Sequence, residues 1–365
     1  MSKYIIRRLI QAIPVLFGIT IVVYAILLAA PGGPTAKFAN NPKFTAADIA
    51  RFKKSWGLDQ PIPVQYCRWM GFCNPDNEGL AVFVGPTGWP AFLPTPLSGV
   101  TNGVLHGDLG VSIETGETVT ARISRAIIPT FILAGSALVL WILIALLIGV
   151  YAAIHRYSLF DQLATVFAYV GYAMPTFWLG IMLIFAFSGP GLNILPAGGM
   201  TETRLSPPFG TDPYWAYFGQ HPLDAVVDIA RHLILPVFTL VVVNIAGDSR
   251  FIRSSMLESL SQDYVRTARA KGLPFRVVTF KHALRNALLP VVTNIGLEIP
   301  FLFTGAIVTE TIFSWPGMGR LYITSITAFD YPTLMGILLI TSLIVVMANL
   351  IADITYAVVD PRIKY

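Results

Sequence analysis

Charge is scarce in this chain: only 12% of its 365 residues are Asp, Glu, Lys or Arg, about half the share of a soluble domain. With 55% apolar residues and a mean hydropathy of +0.66, a water-soluble globule is excluded. Cysteine is nearly missing as well, and two residues of it exclude a disulfide framework and any Cys-rich zinc or iron-sulfur module. No G-x-x-x-x-G-K-[ST] phosphate loop is present, no lysine follows a glycine, and no span carries an H-E-x-x-H pair. Aromatics are plentiful, with 23 Phe, 14 Tyr and 7 Trp, which excludes intrinsic disorder. The net charge of +5 would suit nucleic acid only if the basic residues clustered on a polar domain. Here they flank apolar runs, so no nucleic-acid partner is expected.

A bilayer crossing takes roughly 20 predominantly apolar residues. Six segments qualify: Leu9 to Ala30, Ile128 to Ile154, Leu163 to Ser188, Ile229 to Gly247, Leu288 to Val308 and Leu334 to Val358. The expected fold is therefore an all-α polytopic membrane protein with six transmembrane helices. Lys3, Arg7 and Arg8 ahead of the first run resemble the start of a signal peptide, but the run is longer than an h-region, and it reads as a retained first helix. Six crossings put both termini on one side. That side holds fourteen basic residues against eleven opposite, eight of which lie in one long loop that carries little weight. The expected placement is a multi-pass protein of the cytoplasmic (inner) membrane, both termini cytoplasmic and lipid around the spans.

The chain thus divides into an N-terminal tail and first helix (1–30), an external region (31–125) and a core membrane domain (126–365). In the external region, Thr45 caps a helix whose face carries Ile49, Phe52 and Trp56 and which Gly57 ends. Beyond Pro61 and Pro63 the composition predicts irregular structure. Cys67 and Cys73, six positions apart, are either a disulfide, worth about 2 kcal/mol for so short a loop, or two unrelated small residues. A metal site is not expected, since no further ligand lies close. The second external segment, Gly189 to Asp228, carries Tyr214, Trp215 and Tyr217, readable as an interfacial belt or as substrate-facing groups.

The cytoplasmic segment 248–286 reads as two short amphipathic helices about Gly272. Ser261 or Asp263 caps the first, Gly272 takes the left-handed position after Lys271, and Pro274 opens the second as its first residue. In the second, Val277, Phe280, Leu284 and Ala287 share the packing face while Arg276, Lys281 and Arg285 are polar. The result is either a knob that docks a protein or a basic helix lying on anionic lipid.

The stretch from Asp263 through Arg266, Thr267, Ala268, Arg269, Lys271 and Gly272 to Leu273 resembles the cytoplasmic EAA loop of permeases of binding-protein-dependent ABC importers, in the dipeptide, oligopeptide and nickel group. Phe280 to Pro290, Tyr4 to Pro34, Trp56 to Pro61, Gly107 to Gly110, Met174 to Trp178, Thr309 to Leu321 and Asp353 to Ile363 are similar to further blocks of that group. The long first external loop is similar to the B-type member of the permease pair. Two features depart from the general pattern. Arg266-Thr267-Ala268 stands for Glu-Ala-Ala, with Gly272 to Pro290 five residues longer, and about 67–101 looks like an insertion.

The resemblance implies a non-enzymatic permease subunit, most readily for di- or oligopeptides, with nickel complexes or oligosaccharides as alternative cargo. It implies a heterodimer with a second homologous permease, one or two ABC ATPase subunits that bind ATP and Mg, and an extracellular substrate-binding protein. No cofactor is implied for this chain. Arg266, Thr267, Ala268, Arg269, Lys271, Gly272, Leu273 and Pro274 would form the knob that enters an ATPase cleft. An ion-driven secondary transporter would instead predict inverted repeats and several intramembrane acids; no repeat is found, and Glu298 is the clearest acid inside a span. His155, His221, His232 and His282 fall near span ends. Asn294, Glu298 and Phe301 share a helical face, and Pro300 cannot donate to the carbonyl of Gly296. Glu298 either lines the translocation path or makes a structural hydrogen bond to another span.

Overall fold

The computed structural model describes residues 2–29, 45–55, 58–72, 103–189, 191–202, 204 and 206–359. In chain order these form α1 (Ser2–Ala29), α2 (Ala46–Ser55), α3 (Ile62–Met70), α4 (Val119–Ile154), α5 (Leu159–Ala173) and α6 (Thr176–Phe187). There follow α7 (Asp212–Gln220), α8 (Pro222–Ser261), α9 (Asp263–Ala270), a π-helix at Val277–Ala283, α10 (Leu284–Ile312), α11 (Met318–Thr327) and α12 (Tyr331–Val359). The β-structure among the described residues is one bridge between Val111 and Thr118.

Four of these helices, α1, α4, α8 and α12, are long and apolar enough to cross a membrane. At 1.5 Å per residue, the 36 residues of α4 and 40 of α8 far exceed a hydrocarbon core of about 30 Å. The run at 163–188, expected as one span, is broken: α5 and α6 meet at 100° and count as a fifth crossing only if taken together. Pro175 has no N–H to donate and bars Met174 from helical geometry. Both residues are accordingly extended, with ψ of 122° and 127°. The remaining expected span lies in the 29-residue α10; its side chains at 295–305 lie outside the described residues.

The chain forms two compact units, one of Met1–Leu9, Ile127–Arg320 and Ile344–Tyr365, the other of Ile10–Ala126 and Leu321–Leu343. In the first, α4 contributes Leu133, Ala134, Ala137, Trp141 and Ala145 to a core completed by Leu240, Val241, Ile252 and Met256 of α8. Small residues let these backbones close up. A Cβ on Gly149 would lie 2.7 Å from the Ser249 carbonyl and 2.8 Å from Ile252. Asp161, capped into the first turn of α5, accepts two bonds from Arg253 of α8, at 2.6 and 2.8 Å.

Glu310, at the end of α10, is fully buried. Its carboxylate accepts from the Thr130 hydroxyl at 2.7 Å and the Arg320 N–H at 3.0 Å. It thereby accepts from the first turn of α11, whose Met318 N–H donates in turn to the Thr130 hydroxyl at 2.8 Å. Tyr214 of α7 is also fully buried, packed among Phe209, Trp215 and Phe218. Of the aromatics expected to form a belt or face substrate, Tyr214 is therefore a core group. Burial, reinforced by Asp228, pushes its phenol pKa up.

In the second unit, Tyr24 of α1 packs against Tyr66 and Trp69 of α3 and donates to Gln65. Asp330, ahead of α12, is fully buried. It accepts from Arg122 at 2.6 Å, Ser112 at 2.6 Å, Thr333 at 2.7 Å and the Ile113 N–H at 3.0 Å. Cys67 lies in the last turns of α3 and is disulfide-bonded. Cys73, Trp56, Gly57 and most of the 67–101 insertion lie outside the described residues.

Candidate functional site

The knob is built on a short helix, α9, that ends in a Schellman motif. The Leu273 N–H donates to the Ala268 carbonyl and the Gly272 N–H to that of Arg269. Gly272 has φ of +72°, the left-handed value that a residue without Cβ adopts freely. The other end differs from the sequence expectation. Gln262 occupies the N-cap without a side-chain bond, and the Ser261 hydroxyl, expected to cap, turns back to the Glu258 carbonyl. Asp263 falls inside the first turn, where it faces Arg266 at 3.7 Å in a fully solvated pair of little energetic weight.

Pro274 also sits one place earlier than expected. Its carbonyl accepts from the Val277 and Val278 N–H groups, so it caps the following segment rather than opening it. That segment is π-helical through Ala283. Wider turns rotate the packing face: Val278, Thr279, Ala283 and Ala287 are buried, whereas Phe280, expected to pack, is 52% exposed.

Val265 and Ala268 of α9, with Val278 and Ala283, belong to the same core as the apolar faces of α4 and α8. The knob is thus rooted in the bundle. Its outward surface carries Arg266, Thr267, Arg269, Lys271, Gly272 and Pro274 beside exposed Tyr264, Leu273, Phe275 and Phe280. Cations interleaved with aromatics make a surface suited to a protein groove. Of the sequence-predicted knob residues, Ala268 alone turns inward.

The second group of candidates is only partly visible. Asn294 is half-buried and donates to Asp248 Oδ1 at 3.3 Å; the side chains of Glu298 and Phe301 lie outside the described residues. Asp248 itself escapes sequence reading. It follows Gly247 at the nominal end of an apolar run, yet α8 continues for another 13 residues to Ser261 and holds it in the core, where the Trp141 indole donates to its second oxygen. Its only sequence signal is its place next to an apolar run.

Gly272→Val is expected to leave the protein in the membrane while weakening its hold on a docked partner. Nothing lies within 4 Å of a Cβ at this position, so the cost is the strain of a β-branched residue at positive φ, about 1–2 kcal/mol. Co-purification, at wild-type yield, of an ATPase of the kind the resemblance implies, with unchanged transport, would reduce Gly272 to a dispensable helix stop.

Long apolar helices, with an exposed basic and aromatic knob rooted in their core, define an integral-membrane protein. Residues 145–365 match the binding-protein-dependent transport system inner membrane component family, and residues 1–82 match the N-terminal region of such membrane components. Over 366 residues and the full length of both chains, the sequence is 39% identical to the oligopeptide transport system permease protein AppB of Bacillus subtilis. It is 36% identical to the dipeptide transport system permease protein DppB of Escherichia coli, covering 100% of this chain and 99% of that one. It is also 36% identical to the probable D,D-dipeptide transport system permease protein DdpB of the same organism, covering 96% and 94%. The chain belongs to the binding-protein-dependent transport system inner membrane component family. It is a permease subunit rather than an enzyme.

Proposed function

We propose that this chain is one permease half of an ATP-driven importer of di- or oligopeptides. The observation that carries the reading is the knob: a rigid, core-rooted helix and turn presenting Arg266, Arg269, Lys271 and Phe275 outward. A membrane protein without a phosphate loop draws on ATP only through such a contact. In this reading the knob seats in a cleft of an ABC ATPase subunit, where ATP and Mg bind. A second homologous permease supplies the other half of the path, and an extracellular substrate-binding protein delivers cargo. The chain crosses the inner membrane six times with both termini and the knob in the cytoplasm. Peptide as cargo is supported by the names of the full-length relatives.

The purified chain alone is expected to hydrolyse no ATP. In vesicles holding the complete importer, ATP is expected to drive uptake of a labelled dipeptide, undiminished by a proton ionophore. Turnover by the isolated, contaminant-free subunit, or uptake abolished by the ionophore while ATP persists, would overturn the reading.

A further inference from the structure

We infer that a buried polar seam, from Ser259 and Ser255 to Asp248, carries displacement of the knob to a carboxylate node among three helices, making these three positioning residues for transport. The inference rests on the permease reading above and assigns the route by which the knob acts.

The seam has three contacts between α8 and the chain running from the π-helix into α10. The Ser259 hydroxyl donates to the Ala283 carbonyl at 2.7 Å, the Ser255 hydroxyl to the Ala287 carbonyl at 2.7 Å, and Asn294 Nδ2 to Asp248 Oδ1 at 3.3 Å. Their register is regular. Each step of seven or four residues along α8 is matched by an equal step in the opposite direction along the partner segment. The two segments therefore run antiparallel without slip over twelve residues of α8, Asp248 to Ser259, about 16 Å.

Buried hydroxyls on a helix ordinarily bond the carbonyl four residues back on their own helix. Thr239 and Ser136 do so here. Ser255 and Ser259 instead reach across to the neighbouring backbone, which is close because serine is small. Such bonds fix the helices axially as well as laterally, a constraint that apolar packing supplies poorly.

The two ends of the seam give it a direction. At the knob end, the Ser259 hydroxyl also meets the Tyr264 hydroxyl, at 2.6 Å, in the first turn of α9. At the other end, Asp248 joins α10 through Asn294 and α4 through the Trp141 indole. Knob, α8 and α10 thus move as one body, and the Asp248 to Trp141 bond is a buried polar tie from that body to α4, beside the apolar packing the two helices share. Packing is continuous along the route, since Val265, Ile252, Ala287 and Trp141 share one core.

The test uses the complete importer in proteoliposomes and reads ATP hydrolysed per peptide taken up. Ser255→Ala with Ser259→Ala removes two oxygen atoms and both cross-helix bonds. This pair is expected to raise the ratio about tenfold, two hydrogen bonds' worth of coupling. Asp248→Asn is expected to raise it as well, and the serine pair stands alone if that variant fails to assemble. A merely structural role would lower hydrolysis and uptake together and leave the ratio unchanged. An unchanged ratio in the serine pair therefore overturns the inference. The wild-type importer in the same vesicles reports separately on the permease reading, whose failure would appear as loss of ATP-driven uptake before any substitution is made.

Discussion

Arg122→Met is expected to cost about 3–5 kcal/mol, the penalty for leaving a buried charge without its counter-ion. Asp330 has no solvent exposure and Arg122 only 10% at the side chain, so water cannot replace the guanidinium. The Ser112, Thr333 and Ile113 donors remain, but they are neutral and do not balance the charge. Ser112 would also lose the Arg122 bond at 2.7 Å. Asp330→Asn added to Arg122→Met is expected to recover much of the loss, because the double variant buries no net charge. Apparent melting temperature in detergent reads both effects. Arg122→Met melting with the wild type, or a double variant worse than the single, would show that Asp330 does not depend on this partner.

The second large effect is expected at the Glu310 cradle. Gly317→Ala would drive a Cβ into the Glu310 carboxylate. The hydrogen bonds from Thr130 and the Arg320 N–H resist any shift of that group. Overpacking of this kind costs about 1–3 kcal/mol. Glu310→Ala strips the acceptor from the buried Thr130 hydroxyl and the part-buried Arg320 N–H and is expected to cost about 2–4 kcal/mol, at roughly 1–3 kcal/mol for each orphaned group. Combined, the two substitutions should be less than additive, since the new methyl enters space the carboxylate has vacated; couplings between touching residues run to about 0.5–3 kcal/mol. Strict additivity in a thermal double-mutant cycle would mean that Gly317 serves something other than room for Glu310.

How legible these features are in the sequence follows from the range of the interactions that make them. The long apolar runs announce α4, α8 and α12, because a bilayer span is a local property of about 20 consecutive residues. Gly272 and the end of α9 are legible for the same reason, the whole motif closing within six residues from Ala268 to Leu273. The break at Met174 and Pro175 is written in the proline, but an unbroken apolar run masks it.

Buried acids behave differently. Trp141 lies 107 residues from Asp248, and Thr130 lies 180 from Glu310. Each acid stands at the border of an apolar run, where a solvated end is the ordinary reading. Only the three-dimensional partners distinguish a cradle from a helix terminus. Likewise nothing local marks Ser255 and Ser259 as cross-helix donors, since either would serve equally well bonded to its own helix.

The π-helical turns at Val277–Ala283 also bear on where probes belong. A spin label, fluorophore or cross-linker placed by the ordinary helical repeat would be sent to Thr279 or Ala283 as surface sites, and both are fully buried. Phe280 and Lys281 offer the accessible attachment points. The exposed face across these turns therefore has to be read from the backbone itself, because a count of residues at 3.6 per turn points to the wrong side chains.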